Sequence, residues 1–170
     1  MGVGVAQSAD QQASPGQGAA TPTYQPATNA QKHDLEQSLK PIYFAFDRYD
    51  LTPEDQQTLQ ADANWLKANP DVYVTIDGDA DERGGIVYNV VLSQQRATAT
   101  RDALVSLGVP ADRIVFATGW GKLYPTCAQS DESCWSQNRR AHFEPWQAGS
   151  LAASKQAPVT NDAMRASLGK

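Results

Sequence analysis

Between residues 72 and 107 the hydrophobic period of the chain changes once, from 2 to about 3.6. Val72, Val74 and Ile76 alternate with Tyr73, Thr75 and Asp77, the pattern of a strand with one buried face. From about Ile86 to Leu107 the apolar residues recur at helical spacing, and Gly108-Val109-Pro110 ends the run. The segment between, Gly78-Asp79-Ala80-Asp81-Glu82-Arg83-Gly84, must then be a loop leaving the strand. It carries a carboxylate, Asp81, and the helix carries a guanidinium, Arg96, fifteen residues later. Opposite charges held apart on neighbouring elements can grip a zwitterionic ligand, one charge each.

The same alternation extends on both sides. Ile42-Tyr43-Phe44-Ala45-Phe46 is an apolar β run. Thr52-Pro53-Glu54-Asp55 is a helix start, with a capping Thr, Pro at the first helical position and acids in the first turn. Leu59, Ala63 and Leu66 continue that helix, and Asn69-Pro70 stops it. Ile114-Val115-Phe116-Ala117 reads as a third strand. A short helical turn at Trp135-Ser136-Gln137 then precedes a fourth, Arg139-Arg140-Ala141-His142-Phe143. The order βαβαβ(α)β predicts a two-layer α/β sandwich with helices on one face of a sheet.

This core spans 39–146. Residues 1–38 are rich in Ala, Gln, Ser, Thr, Pro and Gly, with no Val, Leu or Ile between Val5 and Leu35. Such a segment buries too little apolar surface to offset its ordering entropy, so a disordered linker is expected. Residues 147–170 are expected to be a flexible tail, with a marginal helix after Thr160-Asn161-Asp162. Met1-Gly2-Val3 opens neither a basic n-region nor an apolar h-region, so a targeting segment for export would lie outside this chain. The net charge of -5 argues against a general nucleic-acid or anionic-membrane binder, and no apolar run is long enough to span a membrane.

Cys127 and Cys134 lie in one polar segment with six residues between them. Two cysteines without a second pair of ligands make a poor zinc site. A local disulfide in an oxidising compartment is the better reading, with two free thiols as the alternative.

Taking Leu92 as the origin of a helical wheel, Arg96 falls within about 40° and Asn89 within about 60° of it. Arg96 therefore lies on the apolar stripe and must find a carboxylate or carbonyl partner. That partner is either a protein group, Asp81 among the candidates, or the carboxylate of a ligand. Asp77-Gly78-Asp79-Ala80-Asp81 has the spacing that opens a calcium loop, but Glu82 stands where Gly is required and Tyr88 where Glu is required, so no metal site is expected. His33 lies in the expected linker and His142 in a strand, and no nucleophile–base spacing is recognisable.

At these residues the chain resembles the OmpA-like C-terminal domain, in its peptidoglycan-associated lipoprotein branch. The matching pieces run in order from Ile42-Tyr43-Phe44-Ala45-Phe46-Asp47 through Ala80-Asp81-Glu82-Arg83-Gly84, Tyr88-Asn89 and Arg96-Ala97 to Trp135-Ser136-Gln137-Asn138-Arg139-Arg140-Ala141. The resemblance implies four mixed strands with the helices on one face. It also implies a non-enzymatic domain without cofactor that binds peptidoglycan through the diaminopimelate of the stem peptide. Asp81 would take the ligand ammonium and Arg96 its carboxylate, with Asn89, Leu92, Phe46 and Asp47 lining the pocket. Asp79 stands where that branch usually has His, and a second carboxylate beside Asp81 is expected to affect the ligand. A periplasmic location, a lipid anchor in the outer membrane outside this chain, and Tol-system partners are further expectations of the resemblance.

Overall fold

The computed structural model describes residues 29–146. The expected tail 147–170 and the first twenty-eight residues of the expected linker lie outside these residues. In chain order the elements are α1 (Asn29–Ser38), β1 (Ile42–Tyr43), α2 (Pro53–Ala68), β2 (Val74–Gly78), α3 (Ile86–Ser106), a 3-10 turn (Ala111–Arg113), β3 (Ile114–Gly119), α4 (Glu132–Asn138) and β4 (Arg140–Pro145). The four strands form one sheet in the order β1-β4-β2-β3. β4 runs antiparallel to both its neighbours, and β2 and β3 are parallel, so the sheet is mixed as expected. Among the described residues no helix is long and apolar enough to cross a membrane.

α2 forms where its local chemistry dictates. Thr52 accepts a hydrogen bond from the Asp55 N–H, and the Asp55 carboxylate accepts one from the Thr52 N–H, a reciprocal capping box ahead of Pro53. Asn69 closes the other end, its side chain donating to the Trp65 carbonyl at 2.8 Å. Leu59, Ala63 and Leu66 are buried in one core with Val74 and Ile76 of the sheet and with Val72 just before it.

α3 packs closer to the sheet than side chains ordinarily permit. A methyl at Gly78 would collide with the Ser93 carbonyl, and one at Gly119 with the Gln94 backbone. Ser93 fills this contact zone and donates to the Val90 carbonyl, while its hydroxyl accepts from the Gly121 N–H at 2.8 Å. The buried side of α3 is accordingly polar or small over Asn89, Ser93, Arg96, Ala97 and Thr100. This close approach brings Arg96 to the end of β2.

Two expectations change. The segment read as linker is ordered over its last ten residues: α1 places Leu35 (1% exposed) and, just beyond it, Leu39 in the hydrophobic core. A single apolar pair four residues apart, continued by Ile42, anchors a helix that is otherwise polar. The first strand is also shorter than its apolar run. After Tyr43 the chain turns, with Asp47 in the left-handed region (φ 58°) and the Arg48 N–H bonded to the Ala45 carbonyl. The turn takes Phe46 out of the sheet and leaves it 57% exposed.

Cys127 and Cys134 form a disulfide, with Cα atoms 5.2 Å apart. It ties the loop after β3 to the first turn of α4, whose start is capped by Asp131 accepting from the Cys134 N–H at 2.9 Å.

Candidate functional site

Where the chain leaves β2, a shallow cleft opens between the Phe46–Asp47 turn, the 80–84 loop and the first turns of α3. Its walls are Phe46, Asp47, Ala80, Asp81, Arg83, Gly84, Tyr88, Asn89, Leu92 and Arg96. Six of the seven residues expected at a ligand site therefore come together. The exception is Asp79. In extended chain successive side chains point to opposite faces, so Ala80 lines the cleft while Asp79 faces the other way. The Asp79 carboxylate meets Arg140 at 3.3 Å and His142 at 3.2 Å across the β2–β4 pair. The calcium-like spacing fails because Asp77 and Asp79 share one face, whereas the loop that follows the end of β2 at Gly78 turns Asp81 into the cleft.

Asp81 is buried and charged. Arg83 grips it bidentately, Nη2 to Oδ2 at 2.6 Å and Nε to Oδ1 at 3.1 Å, and the Arg83 N–H adds a third bond. Arg139 adds a longer contact to the same Oδ2 at 3.4 Å. Burial raises the proton affinity of Asp81, but the bonds from Arg83 outweigh it and hold the carboxyl below the ordinary carboxylate value. The Arg83 guanidinium is itself sandwiched, its centre 4.0 Å from the Phe46 ring and 4.1 Å from the Trp135 ring. Trp135 is fixed in turn by donating to Glu82 at 2.9 Å.

Arg96 is completely buried, and its partners are carbonyls. It donates from Nε to Arg48, from Nη1 to Asp79 and from Nη2 to Ala45 at 2.9, 2.8 and 3.3 Å. Three of five guanidinium N–H groups are used in this way. The expected Asp81–Arg96 ion pair does not form, because Arg83 and Arg139 satisfy the carboxylate while the 45–48 turn and the end of β2 offer converging carbonyl oxygens. Burial, reinforced by the nearby positive charge of Arg139, pushes the Arg96 pKa down to about 10, so it stays protonated at neutral pH. Asn89 is spent on architecture, donating to the Arg83 carbonyl at 2.7 Å and more weakly to that of Asp81. Tyr88 hydrogen-bonds through its hydroxyl to the Asp47 carboxylate, joining the two rims of the cleft.

Sequence reasoning assigned no role to Arg83, Tyr88, Trp135 or Arg139. Their signal was present in the Glu82-Arg83-Gly84 and Trp135-to-Arg140 blocks, but only the fold shows that these blocks meet at Asp81.

Residues 43–140 match the OmpA family. The peptidoglycan-associated lipoprotein of Agrobacterium fabrum is 48% identical over 100 residues, covering 59% of this chain and 56% of that protein. Its counterpart in Rhizobium meliloti is 44% identical over 126 residues, covering 74% of this chain and 68% of that protein. The chain thus spans between about half and two thirds of the length of these relatives. The crystal structure of the peptidoglycan-associated lipoprotein from Burkholderia pseudomallei superposes with a TM-score of 0.60 at 40% identity, covering 62% of this chain and 89% of that one. The chain belongs to the OmpA family, and its similar relatives are peptidoglycan-associated lipoproteins.

Proposed function

We propose that the cleft binds peptidoglycan non-covalently through diaminopimelate of the stem peptide. Asp81 receives the ammonium of the diamino acid and Arg96 its carboxylate, with Phe46, Asp47 and Leu92 against the aliphatic stem. The observation that carries this reading is the placement of Asp81 and Arg96 in one cleft, both buried, oppositely charged and not paired with each other. Arg96 keeps two N–H groups beyond its carbonyl contacts, and opening of the Asp47–Tyr88 bond would admit a carboxylate to them. Asp81 would exchange one partner, Arg83, for the ligand ammonium. Binding, not catalysis, is the activity this arrangement supports. In the cell the domain would tether an outer-membrane lipid anchor to the wall from the periplasmic side.

A second reading, a docking module for a Tol-type envelope protein, is favoured by the exposed apolar residues Val87 and Val91 next to the cleft on α3. Co-sedimentation with purified sacculi separates the two. Retention that is lost in Asp81→Asn supports wall binding, whereas no retention of the folded wild-type protein favours the docking module.

A further inference from the structure

Behind the cleft, on the sheet face opposite the buried Ile76 and Phe143, charged side chains gather across the β2–β4 pair. Asp77 stands directly opposite His142, and Glu144 follows two residues later on the same face. One donor atom from each of Asp77, His142 and Glu144 lies within 4.8 Å of the other two. Asp77 is only 5% exposed and His142 is half-buried, while Glu144 lies at the surface. Asp79 abuts the imidazole from the side, its Oδ2 lying 3.2 Å from His142 Nδ1. The Nε2 edge faces Glu144 at 3.3 Å. Asp79 Oδ1 and His142 Nδ1 are both buried and neither has a hydrogen-bond partner of good geometry among the described residues.

We propose that Asp77, His142 and Glu144 form a binding site for a divalent transition-metal ion of the zinc type, with Asp79 as the carboxylate that orients the histidine. The chemistry follows from the contacts. The Asp79 carboxylate 3.2 Å from Nδ1 favours the tautomer protonated there by its charge, which leaves the Nε2 lone pair to coordinate, as carboxylate neighbours ordinarily do for metal-ligating histidines. One imidazole and two carboxylates suit zinc or manganese, whereas calcium needs six to eight oxygen ligands. Three protein ligands leave a position for water. Asp77, Asp79 and Glu144 bring three carboxylates to the histidine, with Arg140 against Asp79, a set of donors that suits a dication. The ion would cross-link β2 to β4 beside Asp79, whose carbonyl holds Arg96, and so brace the cleft from behind.

The test is zinc titration of untagged, chelator-treated full chain, followed by calorimetry and thermal unfolding, with magnesium as the comparison ion. One saturable site and a rise in Tm with zinc but not magnesium are expected. His142→Gln is expected to lose at least tenfold in affinity, and Asp79→Asn to lose roughly 10–100-fold, as for other outer-shell partners. Glu144→Gln alters an exposed residue that can be changed without unfolding the sheet, and it too should weaken binding. His33→Gln should bind as wild type. Absence of saturable binding, or unchanged affinity in both His142→Gln and Glu144→Gln, overturns the proposal. Retention on sacculi is read separately, so failure here leaves the peptidoglycan reading standing.

Discussion

Asp81 and Arg83, two residues apart, form a bidentate ion pair inside the cleft, and the Arg83 guanidinium closes that pair by lying between Phe46 and Trp135. The carboxylate best placed for a cationic ligand is thus already held by a cation from its own loop. A ligand ammonium must compete with it.

The pair fixes how Asp81 titrates. Its folded pKa lies below the ordinary value, so its stabilising contribution is present at neutral pH and is lost as pH falls through that depressed pKa. In Arg83→Gln the burial of Asp81 is no longer offset by its main partner. The Asp81 carboxyl is expected to titrate at higher pH, and acid unfolding to begin at higher pH than in wild type. Carboxyl-carbon NMR titration measures the first effect and circular dichroism against pH the second.

Asp62 points the opposite way. It is fully buried on α2, accepts only the Lys40 N–H through Oδ1, and leaves Oδ2 unpartnered among the described residues. Burial raises its pKa to about 7. The folded state then binds more protons than the unfolded chain between about pH 4 and pH 7, so stability falls across that window and levels off above it. His142, also raised, adds to the fall as pH passes through its folded value. Asp62→Asn is expected to flatten most of this dependence, by a few kcal/mol at most. Urea unfolding at pH 5 and pH 8 decides it, equal slopes of stability with pH in wild type and variant being the contrary result.

The Cys127–Cys134 disulfide closes a short loop onto α4, which presents Glu132 to Arg139 at 2.6 Å and Trp135 to Arg83. Chain-entropy reasoning gives roughly 2–3 kcal/mol for a loop of this length. Replacing both cysteines with serine is expected to lower stability by about that amount, read from chemical denaturation, and to increase amide exchange in α4 before β2 or β3.

Gly78→Ala is expected to be severely damaging for a single added methyl. The added carbon meets the Ser93 carbonyl, which is backbone and cannot rotate away. α3 must lift from the sheet, moving Asn89, Leu92 and Arg96 together. A loss of roughly 3 kcal/mol or more, or failure to accumulate folded protein, is expected, with Tm as the readout.

These features differ in how far the sequence reveals them. α2 is legible because Thr52, Pro53, Asp55 and Asn69 act within a few residues of one another. The side of α3 that bears Arg96 is legible from the helical period alone. The partner of Arg96 is not, because its carbonyl acceptors belong to Ala45, Arg48 and Asp79, which only tertiary folding assembles. α1 is hidden because Leu35 is the single large apolar residue between Asn29 and Ser38. Asp79 was read by its distance from Asp81 along the chain, whereas it keeps the face of Asp77 and the loop after Gly78 turns Asp81 away from it. Arg83 was quoted as part of a motif, and its role emerges only once Phe46 and Trp135, 37 residues before and 52 after it, are brought to either side.

The most direct test of the central claim is an NMR titration of the domain with diaminopimelate-containing muropeptide, run beside the lysine-containing equivalent, which lacks the second carboxylate meant for Arg96. Saturable amide shifts at Asp81, Asn89, Leu92 and Arg96 are expected for the first, at least tenfold weaker binding for the second, and loss of both in Asp81→Asn. Equal affinity for the two muropeptides, or shifts confined to residues away from the cleft, would contradict it.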